Sequence, residues 1–248
     1  MSALATKRAL LVGVGGLGSP AAIVLARAGV GTIGIADDDA VELSNLHRQI
    51  LFDDGDVGSP KVDAAARAIP RWADDAGVNV VVHRTRLLPD NAREIVRAYD
   101  VVVEGSDNFA TKFMTADACA LERVAVVHGS AVRWHGTAFA VGKDARPCYR
   151  CLFEDIPHEH APNCAEAGVM GPVVGIVAAL QADLALRILA GEEVPGDLVS
   201  FDGKTGTHRR HRVPRRDDCP LCGVPRIQPS IQSVDGARYA PPSEGAIV

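Results

Sequence analysis

Over the first half of the chain, short apolar runs alternate with stretches of helical spacing. Residues 8–14 form the first run, apolar on both alternating faces as a central strand of a parallel sheet must be. Residues 13–18 are a glycine-rich turn, and residues 20–28 then place apolar side chains at helical spacing up to Gly29. Residues 32–36 extend again and close a βαβ unit of roughly thirty residues. Pro60 opens a further helix at a first-turn position, where its missing N–H costs nothing. The pattern goes on with a strand at 78–82, a helix at 91–99, a strand at 101–103, a helix at 108–122 and a strand at 124–127. From Ala131 it changes to paired short strands, 132–134 and 136–141. The alternation predicts an α/β fold: a doubly wound, mostly parallel, Rossmann-like sheet with a late antiparallel portion.

The later pattern sets the domain organisation. Residues 171–190 read as one long buried helix rather than a membrane span, because Gln181, Asp183 and Arg187 interrupt the apolar run. The helix is apolar on more than one face, which suits burial against a second subunit. A polar, Pro- and His-rich stretch at 154–163 is expected to be a mobile loop. One folded unit is expected over 1–225, with a nucleotide-binding half at about 1–130 and a second half at about 131–225. Residues 226–248, rich in Ser, Pro, Gly and Gln, are expected to be a disordered tail.

Composition removes several functional classes. With 248 residues, 47% hydrophobic and 23% charged, the chain has the make-up of a soluble globular protein with a packed core. A net charge of -5 favours neither nucleic acid nor an acidic membrane. The basic run His208, Arg209, Arg210, His211 and Arg212 reads as a strand with a solvated face. No secretory leader pattern is apparent, so a cytoplasmic protein is expected. Of 6 cysteines, four fall in the C-x-x-C pairs Cys148/Cys151 and Cys219/Cys222, which points to metal rather than to a disulfide framework.

Gly13-Val14-Gly15-Gly16-Leu17-Gly18 fits G-x-G-x-x-G after a strand and before a helix, where backbone can approach a phosphate at a helix N-terminus. Asp37 follows at the end of the second strand, suited to a ribose. These features specify a nucleotide and leave NAD, FAD and ATP open. Three further segments follow in order: Ser44-Asn45-Leu46-His47-Arg48-Gln49, Gly58-Ser59-Pro60-Lys61-Val62 and Gly105-Ser106-Asp107-Asn108. With Cys148-Tyr149-Arg150-Cys151-Leu152-Phe153 and Glu166-Ala167-Gly168-Val169-Met170-Gly171-Pro172, the series resembles the ThiF/MoeB-type family. Its members are sulfur-carrier-protein adenylyltransferases related to the ubiquitin-activating enzymes.

The resemblance implies attack by a carrier protein's C-terminal carboxylate on the α-phosphate of ATP. A carboxylate is ionised at neutral pH, so catalysis rests on positioning and charge neutralisation rather than on a general base. Family positions assign Arg48 and Lys61 to the phosphates, Asn45 to support of that site and Asp107 to Mg²⁺. They also assign Asp37 and Asp39 to the acidic pair after the second strand, and place Gly13, Gly15, Gly16, Gly18 and Asn108 around the nucleotide. Taken alone, Arg48 and Lys61 could be surface charges, and Asp107 could be the N-cap of the helix beginning near Asn108.

The two C-x-x-C pairs make a plausible tetrahedral Cys₄ zinc site, structural because four thiolates leave no open position. A redox dithiol is the rival reading. Gly223 gives the second pair a compact knuckle form, expected to turn backbone N–H groups toward sulfur. Cys164 matches the family cysteine that bonds the activated carrier in some members, Cys119 reads as core, and His158 and His160 as solvated loop residues.

The partners implied are a small ubiquitin-like carrier ending in Gly-Gly, a separate sulfur-donor protein and a second copy of the chain. The resemblance also implies a helical segment, usual in relatives before the first strand, with an arginine that reaches the partner subunit's ATP. Here only residues 1–7 precede that strand, so slow adenylation by the isolated chain is expected. Two other classes remain in view. A nicotinamide oxidoreductase would leave Arg48, Lys61, Asp107 and four cysteines without a role. A catalytically weakened relative would only bind a carrier or partner.

Overall fold

The computed structural model describes residues 3–73, 77–157, 167–194, 196–223 and 231–239. β1 (Arg8–Val12), β2 (Thr32–Ala36), β3 (Asn79–His83), β4 (Val101–Glu104) and β5 (Ala125–Val132) pair in parallel. β6 (His135–Val141), β7 (Asp197–Asp202) and β8 (Thr207–Arg212) continue the same sheet antiparallel, in the order β3-β2-β1-β4-β5-β6-β7-β8. The α/β sheet with its late antiparallel portion is as the hydrophobic pattern predicts. Strand order reverses between β1 and β4, and open α/β sheets bind ligands at the carboxyl ends of strands at such a point.

Successive side chains of a strand face opposite ways, so the central strands feed two cores. Leu11, Ile33, Val103 and Val127 pack with α1 (Gly18–Arg27), α2 (Lys61–Ala68) and α6 (Gly171–Leu189). Leu10, Val102 and Val126 pack with α3 (Ala92–Val96), α4 (Phe109–Glu122) and the segment around α5 (Tyr149–Leu152). By length and composition α6 could cross a bilayer, but Val173, Val174, Val177, Ala178 and Gln181 are buried and the helix lies on β5 and β6.

Three differences from the sequence reading have physical causes. Residues 132–134 are not a separate strand: β5 runs unbroken through Gly129 and Ser130 to Val132, then turns into β6. Gly129 is needed within it, because a Cβ at position 129 would run into the Gln181 amide of α6. Within the expected disordered tail, residues 231–239 are packed, with Ile231 and Tyr239 buried and a 3₁₀ turn over Gly236–Tyr239. Ile231, Val234 and Tyr239 pack on the core beside α4 and Tyr239 Oη donates to Asp117, while 226–230 and 240–248 lie outside the described residues. Finally, the basic strand β8 exposes both faces, not one, as the charged edge of the sheet.

Candidate functional site

The glycine loop joins β1 to α1. Gly13 has φ +83, a left-handed conformation that favours glycine, and a Cβ on Gly18 would collide with the Gly13 carbonyl oxygen. The turn is thereby tight enough for α1 to start directly behind it, and α1 carries no acidic residue in its first turn to repel an anion. Asp37, at the end of β2, is 8% exposed and ties the loop down. Its Oδ2 accepts from Val14 N at 2.9 Å and its Oδ1 from Asp39 N at 2.9 Å. Each oxygen keeps a lone pair for a hydroxyl donor. Burial pushes the Asp37 carboxyl above its ordinary value, with Lys61 and the two backbone donors opposing it.

Facing the loop is a cleft of about 410 Å³ whose lining includes Gly13, Gly15, Asp37, Asp39, Asn45, Arg48, Lys61, Asp107 and Asn108. A 3₁₀ turn at Leu43–Asn45 brings in Asn45 and Arg48, whose Nη2 donates to Asn45 Oδ1 at 2.7 Å. Lys61 is no surface charge: it is buried at the start of α2, and its Nζ meets Asp39 Oδ2 at 2.7 Å. Asp107 is not the helix cap either. Asn108 caps α4, accepting from Thr111 N at 2.8 Å, which leaves the exposed Asp107 carboxylate to the cleft. Gly16 lines an adjoining, more apolar cavity of about 250 Å³ that shares Arg48, Asp107 and Asn108. Gly18 lies beneath the loop and lines neither cavity.

Behind the cleft is a charged cluster that the sequence reading missed. Glu104, Lys112 and His128 are all buried, with Lys112 Nζ donating to Glu104 Oε2 at 2.8 Å and His128 Nδ1 lying 3.3 Å from the same oxygen. The available signal was a Glu closing an apolar strand and a Lys inside an apolar helix, where charges are rarely buried unless paired. Gln49, which closes the Ser44–Gln49 segment and is buried beside Gly15, also lines the cleft, as does Arg86, paired with Asp38 at 2.9 Å and unforeseen.

The four cysteines of the C-x-x-C pairs converge. Their Sγ atoms all lie within 4.8 Å of one another, with Cys148–Cys219 at 3.5 Å, Cys151–Cys222 at 3.4 Å and Cys148–Cys151 at 4.0 Å. Four thiolates bound tetrahedrally at about 2.3 Å would stand about 3.8 Å apart, so the set fits zinc. Backbone N–H groups do turn toward sulfur: that of Cys222 toward the Cys219 thiol, and that of Arg216, 3.5 Å from Cys151 Sγ. Gly223 instead donates to the Cys219 carbonyl at 2.9 Å, and a Cβ there would sit 2.6 Å from that oxygen. Between the first two cysteines, buried Arg150 grips Asp117 through Nε–Oδ1 and Nη2–Oδ2, both 2.9 Å, and Tyr239 Oη donates to Asp117 at 2.6 Å. Cys119 is fully buried, its thiol pushed well up by burial. Cys164, His158 and His160 lie outside the described residues.

Comparison with known proteins gives the family and the fold. A sequence profile described as the ThiF family matches residues 1–221. The chain is 42% identical over 227 residues to a Caenorhabditis briggsae protein named adenylyltransferase and sulfurtransferase MOCS3, covering 90% of this chain and 55% of that one. It is 39% identical over 235 residues to the SAMP-activating enzyme E1 of Haloferax volcanii, covering 94% of this chain and 86% of that one. The chain thus spans about half the length of the relatives named MOCS3, with 55%, 49% and 51% of three of them covered. Escherichia coli MccB, solved with ATP, superposes with a TM-score of 0.78 at 19% identity over 90% of this chain and 68% of that one, a common fold.

Proposed function

The chain belongs to the ThiF family, and from that membership and the cleft we propose that it adenylylates the C-terminal glycine carboxylate of a ubiquitin-like sulfur-carrier protein. The names of its relatives, an adenylyltransferase and a SAMP-activating enzyme, support the reaction class. One observation carries the reading: Arg48, Lys61 and Asp107 line a single cleft together with the glycine loop.

A carrier carboxylate oxygen forms a bond to the α-phosphorus of ATP, and the bridging bond to the β-phosphate breaks, so that pyrophosphate leaves with that electron pair. No proton has to be removed. The obstacle is repulsion between an anion and a polyanion, which the cations of Arg48 and Lys61 and the N-terminus of α1 offset. Asp37 offers its remaining lone pairs to the ribose. Asp107, an oxygen donor left free by the capping of Asn108, fits Mg²⁺, which would neutralise phosphate charge. Zn²⁺ would sit among Cys148, Cys151, Cys219 and Cys222 in a structural role.

In the same reading the adjoining cavity of about 250 Å³ receives the end of the carrier. A separate protein donates the sulfur, and two copies of the chain work as a dimer, which the exposed Ile176 and Met170 of the α6 region favour. Adenylation itself needs no thiol, so Cys164 is not required for it.

The test is exchange of labelled pyrophosphate into ATP. We expect exchange that depends on Mg²⁺ and on a carrier ending in Gly-Gly. Tight carrier binding without exchange would replace the enzyme by a binding protein.

A further inference from the structure

We propose that Glu104 is a positioning residue: from inside the sheet it anchors Ser106 and so fixes the turn that presents Asp107 to the cleft. The inference rests on the adenylyltransferase reading above.

Glu104 ends β4 and is completely buried, where a carboxylate is tolerated only if its oxygens are satisfied. Its two oxygens do different things. Oε2 faces inward and meets Lys112 and His128, and Lys112 also donates to the Gly129 carbonyl at 2.5 Å. Oε1 faces the turn, accepting from Ser106 N at 2.7 Å and from the Ser106 hydroxyl. Gln181 of α6 holds the Glu104 backbone, donating to its carbonyl at 2.8 Å and to that of Val127 at 3.1 Å. An ion pair serving the core alone would need only the inward oxygen.

The second observation concerns Asp107. Among the described residues its carboxylate has no hydrogen-bond or ion-pair partner, so no side-chain contact sets its direction. Its backbone neighbours do. Ser106 is fixed by Glu104, Asn108 is fixed by capping Thr111, and a Cβ on Gly105 would stand 3.0 Å from Leu17 Cβ of the glycine loop. Asp107 is therefore suspended between two anchors over the nucleotide site. Burial alone would push the Glu104 carboxyl up, but Lys112 and His128 outweigh it and hold it at about 2, ionised at every working pH.

The experiment measures binding of α,β-methylene ATP with and without Mg²⁺, alongside carrier-dependent pyrophosphate exchange and thermal melting. Variants are Glu104→Gln, Ser106→Ala, Asp107→Ala and the Glu104→Gln/Asp107→Ala pair. Ser106→Ala keeps the Glu104–Lys112 pair, so it remains informative should Glu104→Gln fail to fold. We expect Glu104→Gln to remove most of the tightening that Mg²⁺ gives the analogue and to slow exchange by about 10²-fold, the scale of a misplaced group. Ser106→Ala should slow it by roughly tenfold, as the loss of one hydrogen bond to a charged acceptor does. In the Asp107→Ala background, Glu104→Gln should change Mg²⁺-dependent binding no further. Equal losses in both backgrounds, or a wild-type Mg²⁺ response in folded Glu104→Gln and Ser106→Ala, would overturn the inference. Wild-type protein that binds Mg²⁺ with the analogue yet shows no exchange would overturn the adenylation reading instead and leave the binding cycle decisive for Glu104.

Discussion

The nucleotide cleft and the four-cysteine knuckle are built from the same chain in opposite styles. Around the knuckle the buried charged groups are paired inside the protein. The thiols face one another, Arg150 is held by both oxygens of Asp117, and Tyr239 closes the same carboxylate. In the cleft the reverse holds: Asp107 has no partner among the described residues, and Asp39, though paired with Lys61, is 66% exposed. A buried, paired cluster contributes rigidity, whereas an exposed carboxylate without a partner, as at Asp107, is open to a ligand. Substitutions in the two regions should therefore separate stability from chemistry.

The largest effect is expected in the knuckle. Metal analysis should find about one zinc per chain, and Cys219→Ser or a strong chelator should remove it. Structural zinc contributes on the order of 10 kcal/mol in small domains, so the melting temperature should drop steeply. Full metal content and unchanged melting in Cys219→Ser would break the comparison at its firmer end.

Next comes Asp117→Ala, which strips the buried Arg150 guanidinium of its two-pronged partner and leaves it only Asp155, 3.2 Å from Nη1, and the Glu154 carbonyl. That should cost about 3–5 kcal/mol of stability, read as a lower midpoint in urea. Exchange per folded molecule should stay at the wild-type rate. A loss of exchange with the fold intact would show that the two regions are not separable.

The smallest effect is a pH dependence. The Glu104 carboxyl is held down from 4.5 to about 2, so its contribution is complete above pH 4.5 and is lost as pH falls toward 2. The stability gap between wild type and Glu104→Gln should be flat from about pH 5 to 8 and narrow below pH 4.5. A gap that widened on acidification would have the wrong sign for a carboxylate stabilised by Lys112.

How much of this was legible in the sequence follows from the range of each interaction. Gly13 and Asp37 could be placed together because each sits at a strand end, and the parallel sheet gathers those ends at one edge; Lys61 and Asp107 were placed beside them by resemblance to a family. The four cysteines announced themselves by spacing within each pair. Pairings made across elements left no local period: Glu104 with His128, Asp117 with Arg150, Gln181 over Gly129. For the same reason the packing of Ile231 and Tyr239 was hidden, since what they meet is contributed by distant elements such as α4.

The comparison rests finally on Asp107. The decisive measurement is the rate of carrier-dependent pyrophosphate exchange by Asp107→Ala protein whose melting temperature matches wild type. Loss of a charge-stabilising group at the reacting phosphate should lower that rate by about 10²–10³-fold. A folded Asp107→Ala protein exchanging at close to the wild-type rate would contradict the account, because the open carboxylate of the cleft would then have no part in the chemistry.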